Sequence, residues 1–169
     1  MFNKLLSTLA VVLVMTAPAA SAEMNIVVLD PVRAILESDE AKVLAEAANK
    51  EMEPEIEELR VEAEEFQALQ AKLQKDGEVM SESERRKGIK DLEDMQADLQ
   101  FGQQKLQKQT QDKRQEILQA MAPKYEKVLN DIIQIDQIDL ILSPNQLQYA
   151  NPKHDISRRV TEKLNEASD

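Results

Sequence analysis

The spacing of hydrophobic residues changes twice along the chain, and these changes mark out its predicted elements. Residues 25–30 form a β-branched apolar run that stops before Pro31, which predicts one short buried strand. From about Val32 to residue 135, apolar side chains recur every three or four positions, the period of an amphipathic helix. A strand-like run returns at 138–142. The pattern indicates an α+β chain in which a long helical segment lies between strand-forming ends.

The helical segment is predicted to fold back as an antiparallel coiled-coil hairpin with its turn near residues 76–81. Gly77 favours a helix C-terminus, and Ser81 can cap a second helix. The heptad stripe predicted on the first helix is Ala41, Ala45, Ala48, Met52, Ile56, Leu59, Ala63, Phe66, Gln70 and Leu73. The stripe on the second is Ile89, Leu92, Gln96, Leu99, Gln103, Leu106, Leu118, Met121, Tyr125, Val128, Ile132 and Ile135. Because glutamines interrupt both stripes, the arm should be compliant.

The C-terminal stretch is predicted to form a small β-hairpin and a short helix. Pro144 and Asn145 suit a tight turn, after which residues 147–149 alternate like a partner strand for 138–142. Asp155 is placed to cap a terminal helix whose apolar stripe is Ile156, Val160 and Leu164.

The first 22 residues have the organisation of a cleavable secretory signal peptide. Lys4 supplies a positive charge, an apolar run follows from Leu5 to Ala17, and small residues end the segment at Ala22. A retained anchoring helix is the alternative. Export would begin the mature chain at Glu23.

Composition excludes several classes of chemistry. The chain has no Cys and a single histidine, His154, so thiolate metal sites and histidine-based catalysis lack their usual groups. Its formal net charge of −11 argues against non-specific binding to nucleic acid. The run Glu57, Glu58, Glu62 and Glu65 lacks the turn and carbonyl ligands of a calcium loop and is interpreted as a solvated helix face. No catalytic, cofactor-binding or metal site is predicted.

The strand-forming ends are too small to bury a secure core alone. A body of a few short strands and one helix, without disulfides or metal, needs association to become stable. We therefore expect Ile26, Val28, Leu140 and Leu142 to lie near a subunit junction.

The chain resembles the Skp/OmpH family of periplasmic chaperones. The resemblance covers nearly all of the mature chain and rests on the strand 26–30, the helical hairpin, the stretch 137–145, the pair Tyr149-Ala150 and the sequence Asp155-Ile156-Ser157. It implies a homotrimer whose β-rich bodies, 23–34 with 136–169, join centrally. The hairpin arms, 35–135, are inserted between the strands of each body and extend as tentacles around a cavity. Members hold unfolded outer-membrane β-barrel proteins there without nucleotide. A coiled-coil scaffold of the cell envelope is the rival interpretation.

The charge along the arm is uneven. Residues 31–77 carry 6 basic and 13 acidic side chains, whereas residues 70–90 carry a net charge of +2. The basic side chains near the turn, here called the basic tip, are Lys72, Lys75, Arg85, Arg86, Lys87 and Lys90. The tip could attract acidic client segments, anionic lipid or lipopolysaccharide, or it could be ordinary helix-end solvation with pairs such as Glu82–Arg86.

Two further features of the arm concern how it would hold clients. Met80, Met95 and Phe101 fall outside the heptad stripe, so they are candidates for contact with unfolded chains. If the turn is centred near residue 78 or 79, facing residues have numbers that sum to about 157. Pro54 would then lie level with Gly102, and because both weaken a helix this level is predicted to be a hinge.

Overall fold

A computed structural model describes residues 24–167, so the predicted signal peptide lies outside the described residues. A short strand β1 (Ile26–Val28) is followed by a short helix α1 (Pro31–Leu36) and two long helices. These are α2 (Asp39–Asp76) and α3 (Glu82–Asp136), and they form the helical hairpin. After the hairpin come a second strand, β2 (Leu140–Leu142), and the helix α4 (Ser157–Glu166). The elements β1, α1, β2 and α4 are here called the base. The predicted coiled-coil hairpin is confirmed.

The two strands pair with each other in parallel. Ile26 lies opposite Leu140, and Val28 lies opposite Leu142. The predicted C-terminal β-hairpin is wrong, because residues 144–146 form a 3₁₀ turn and residues 147–149 form no strand. Pro144 lacks the backbone donor that would continue a strand, and the strand that pairs with β2 is β1. The whole helical hairpin therefore lies between the paired strands in the chain.

The hydrophobic core lies at the base, where α1 and α4 pack against the lower half of α3. Its most completely buried apolar side chains are Leu29, Ala34, Ala41, Met121, Ile132, Val160 and Leu164. The helical pattern is broken between α1 and α2, a break that the continuous stripe had not predicted. Ser38 is buried there, where its hydroxyl donates to the Ile35 carbonyl and accepts from the Ala41 amide. This N-cap starts α2 at Asp39.

The turn of the hairpin is fixed by the predicted cap. Ser81 and Glu84 form a capping box, in which each side chain accepts a hydrogen bond from the other residue's amide. From this cap α3 runs for 55 residues, which corresponds to about 80 Å of helix. Gly77 ends α2 with a right-handed φ of −59°, so it supplies a helix end without the left-handed geometry.

The seam between α2 and α3 differs from the predicted heptad stripe. Gln70, Gln96 and Gln103 are exposed, and their neighbours Leu69, Met95 and Gly102 are partly buried instead. Ile56, Ile89 and Ile135 are also exposed. A straight helix drifts by about 20° per heptad relative to a strict seven-residue repeat, so adjacent positions exchange places along a long arm.

The register of the hairpin also differs from the prediction. An alanine methyl added at Gly102 would lie 2.7 Å from Leu59, and one at Gly88 would lie 2.8 Å from Leu73. The numbers of facing residues near the tip therefore sum to about 161 instead of the predicted 157. Gly102 is level with Leu59, and Pro54 lies about five residues, or roughly 7 Å, nearer the base. The prediction that Pro54 and Gly102 share one level is wrong.

Candidate functional site

The base presents an open apolar groove, here called the base groove. Its volume is about 720 Å³, and its walls include Ile26, Val28 and Leu142. Leu147 and Tyr149 line the same groove from the loop after β2. The sequence pattern had identified Tyr149 only as part of a strand, whereas the structure leaves it 79% exposed beside three residues predicted at a subunit junction. An exposed apolar surface of this kind is typical of a site that contacts another molecule.

The sheet at the base is also incomplete. β2 pairs with β1 on one side, and within residues 24–167 no strand pairs with its other side. Leu140, on β2, is 43% exposed. The far side of β1 is partly covered, since the Ile156 amide donates to the Val28 carbonyl at 2.9 Å. An unpaired strand edge beside exposed apolar side chains can accept backbone and side chains from another protein chain.

A polar network fastens α1 and α4 beneath this groove. Arg33 lies 2.7 Å from the Asp155 carboxylate, and the Ser157 amide donates to the same carboxylate at 2.9 Å. The Ser157 hydroxyl accepts from the Asp30 amide. Burial opposes ionisation of Asp155, but the hydrogen bonds from Ser157 and Arg33 outweigh it and lower the pKa of the carboxyl. The prediction that Asp155 is the N-cap of α4 is wrong, because the helix begins at Ser157 and its N-cap is Ile156. Asp155 lies one residue earlier, and its carboxylate accepts a hydrogen bond from the Ser157 amide at the start of the helix.

The basic tip is solvated. All six of its basic residues are exposed. Among the described residues only Arg86 forms an ion pair there, at 3.3 Å from Glu82, and both of these side chains are highly exposed. Hydrogen bonds from Ser81, with a smaller contribution from Lys72, lower the pKa of Glu84. The tip therefore presents cationic groups to whatever approaches the end of the arm.

The three candidates for client contact are not equivalent. Phe101 is 69% exposed on the side of the arm, and Met80 is partly buried in the turn. Met95 is partly buried in the seam, so its prediction as an off-register residue is wrong. Phe101 is the candidate most available to another molecule.

The described residues contain no cluster of metal ligands and no helix suited to a membrane. No group of three or more His, Cys, Asp or Glu side chains there could hold a metal ion. No helix in the same part of the chain combines the length and apolarity needed to cross a bilayer.

Comparisons with known proteins agree on one family. The model of the family described as "Outer membrane protein (OmpH-like)" matches residues 25–164. A "Skp-like protein" of Pseudomonas aeruginosa strain PAO1 is 32% identical over 153 residues, which cover 90% of this chain and 91% of that protein. A crystal structure of an OmpH-like outer membrane chaperone from Caulobacter crescentus CB15 matches with a TM-score of 0.54 at 17% identity, over 86% of each chain. This last likeness supports the fold.

Proposed function

Since the chain belongs to the OmpH-like family, we propose that it is an ATP-independent holdase chaperone of the periplasm. It would bind unfolded outer-membrane β-barrel proteins and prevent their aggregation on the way to the outer membrane. The observation that carries this proposal is a long helical arm projecting from a base with an unfilled apolar groove. No step of this function requires a bond to be made or broken, so the protein is proposed to act without catalysis, metal or cofactor.

The proposed assembly is a homotrimer formed through the base. Ile26 and Leu140 are 37% and 43% exposed and lie opposite each other in the sheet. Burying them against other copies would remove apolar surface from water and cover the open edge of β2. Three joined bases would bring three arms together around a shared cavity, in which an unfolded client is held.

The arms are proposed to contact the client and the envelope in different places. Phe101 supplies apolar surface on the side of the arm. Met80 near the turn and the partly buried Met95 in the seam would add to it. The exposed cations of the basic tip would meet acidic groups of a client, anionic lipid or lipopolysaccharide. Such attraction acts over a Debye length of about 8 Å at physiological ionic strength and weakens with salt.

A coiled-coil scaffold of the cell envelope is the second candidate. Ion pairs join the two helices at several heights, between Glu55 and Lys105 at 3.1 Å, between Glu51 and Lys113 at 2.7 Å, and between Glu40 and Lys124. These pairs would stiffen a spacer. The exposed Phe101 and the modest apolar seam have no purpose in a spacer, so the holdase is preferred.

Light scattering separates the two functions. The protein is measured alone, and then mixed with a urea-unfolded outer-membrane β-barrel that is diluted into buffer. A monodisperse trimer that keeps the barrel soluble without ATP is expected for the holdase. A dimer or filament that leaves the barrel to aggregate would contradict it and support the scaffold. Lysozyme at the same concentration controls for non-specific crowding.

A further inference from the structure

A second groove lies on the side of the arm, at the level where Leu59 packs on Gly102. It has a volume of about 240 Å³ and is here called the arm groove. Because Gly102 has no side chain, Leu59 lies directly against the backbone of α3 and leaves a depression beside it. The residues on which the argument depends are Glu58, Glu62, Asp98, Phe101, Gly102 and Lys105.

The rim of the arm groove carries uncompensated negative charge. Glu55 is paired with Lys105 at 3.1 Å, which is the main cause of its lowered pKa. Glu58, Glu62 and Asp98 have no ion pair within the described residues. The neighbouring Glu57 and Glu64 differ, since both are paired with Arg60. Three free carboxylates therefore converge on a single depression, in which the only lysine already has a partner.

The arm groove also has an aromatic wall. Phe101 is 69% exposed. Burying a phenyl ring is favourable relative to leaving it in water, so this ring would gain from contact with another molecule. The face of an aromatic ring attracts Lys and Arg, and this attraction adds to that of nearby carboxylates. An exposed ring edged by free carboxylates has the chemistry that recognises a cation attached to an apolar chain.

We propose that the arm groove binds cationic amphipathic segments of unfolded clients, in which Lys or Arg adjoins an apolar side chain. The cation would lie among Glu58, Glu62 and Asp98, and the apolar group would lie against Phe101. This inference rests on the proposed holdase function and assigns it a client chemistry. The groove fits an extended chain better than the basic tip of a second copy, because a helical hairpin is about 20 Å wide and 240 Å³ admits only one or two side chains.

The test uses labelled twelve-residue unstructured peptides and fluorescence anisotropy with the whole protein. One peptide alternates Lys or Arg with Leu and Phe, and its partner has Glu at every basic position. The groove variant is Glu58→Gln, Glu62→Gln and Asp98→Asn. The matched control is Glu46→Gln, Glu126→Gln and Asp131→Asn, which removes the same charge from exposed residues outside the groove. Phe101→Ala tests the aromatic wall without disturbing the fold, because the ring is mostly exposed.

The groove variant is expected to bind the cationic peptide about tenfold more weakly at low salt, since each exposed charge pair contributes a small amount. Phe101→Ala should lose several-fold at both low and high salt, and the control should retain most of the binding. Equal losses in the groove variant and the control would overturn the inference in favour of net charge alone. Preference for the acidic peptide would also overturn it, as would a drop in the mass of the free assembly in the groove variant, which would identify a second copy as the occupant. The light-scattering assay with the unfolded β-barrel separates this inference from the holdase proposal. If the protein keeps the barrel soluble but does not distinguish the two peptides, only this inference is overturned. If the barrel aggregates, the holdase proposal is overturned.

Discussion

Asp155 is the residue at which the base is fastened. Its carboxylate receives hydrogen bonds from the first turn of α4 and from Arg33 on α1, and Ser157 next to it holds the amide of Asp30. Two chain segments that are more than 120 residues apart in sequence are therefore joined around this side chain and its neighbour Ser157. The carboxylate is only partly exposed, so water competes weakly for these bonds.

Asp155→Ala is expected to lower the free energy of unfolding by about 1 to 2 kcal/mol at neutral pH, because the hydrogen bonds from the Ser157 amide and from Arg33 are both lost. The lowered pKa of Asp155 means that the ionised carboxylate stabilises the folded chain above its unfolded-state pKa. That contribution is lost as pH falls through the folded-state pKa, so the deficit of the variant should shrink below about pH 4.

Urea denaturation from pH 7 downward, at one fixed protein concentration, measures this prediction. The concentration is fixed because association changes apparent stability. Asp131→Ala is the control, since Asp131 is exposed and forms no ion pair among the described residues. A deficit at Asp155 that stays constant with pH would mean that packing, rather than the charge, is responsible.

At the scale of elements, local sequence signals predicted where helices begin and end, but they could not predict which distant strands pair. The capping box at Ser81 is written within four residues, so the start of α3 follows from the sequence. The partner of β2 is β1, which precedes the whole hairpin in the sequence. A strand of three residues is too short for its sequence to indicate which strand it pairs with. The same reasoning explains the arm groove: Phe101 could be identified as off-register, but its acidic neighbours on α2 required the register that Leu59 and Gly102 define.

The predicted hinge is replaced by two predicted weak points at different heights of the arm. Pro54 lies inside α2, and Gly102 lies in α3 nearer the tip, so we expect two flexible levels in the arm instead of one. Proline in a helix interior costs about 3 kcal/mol relative to alanine, and glycine costs about 1 kcal/mol. Pro54→Ala should therefore stiffen the arm more than Gly102→Ala, whose new methyl must also displace Leu59.

Spin labels test this order. The chain has no native Cys, so Glu78→Cys gives one label at each tip. Pro54→Ala should narrow the distribution of tip-to-tip distances in the proposed trimer, and Gly102→Ala should narrow it less. Gly88→Ala is the control for Gly102→Ala, because it makes the same substitution with a similar contact, 2.8 Å from Leu73, but lies close to the label at the tip. Unchanged distributions in all variants would move the flexibility to the junction near Ser38.

At the scale of the whole molecule, the base explains why the arm can exist. A single chain leaves Ile26 and Leu140 partly exposed, a groove of about 720 Å³ beside them and an unpaired strand edge. The sequence predicted the four junction residues from the small size of the body, and the structure places Val28 deeper than the rest, at 5% exposure. A charge at Val28 would therefore damage the fold of the single chain as well as any junction.

This difference sharpens the test of assembly. Val28→Asp is expected to give a monomeric, partly unfolded chain, because the new carboxylate is buried without a partner. Leu140→Asp should give a monomer that keeps the helical content of the original, since residue 140 meets solvent in the single chain and only association would bury the charge. Val43→Asp, at a position that is 65% exposed on α2, is the control and should remain trimeric. Sedimentation velocity with circular dichroism reads both quantities, and a Leu140→Asp protein that still sediments as a trimer would show that the copies meet through another surface.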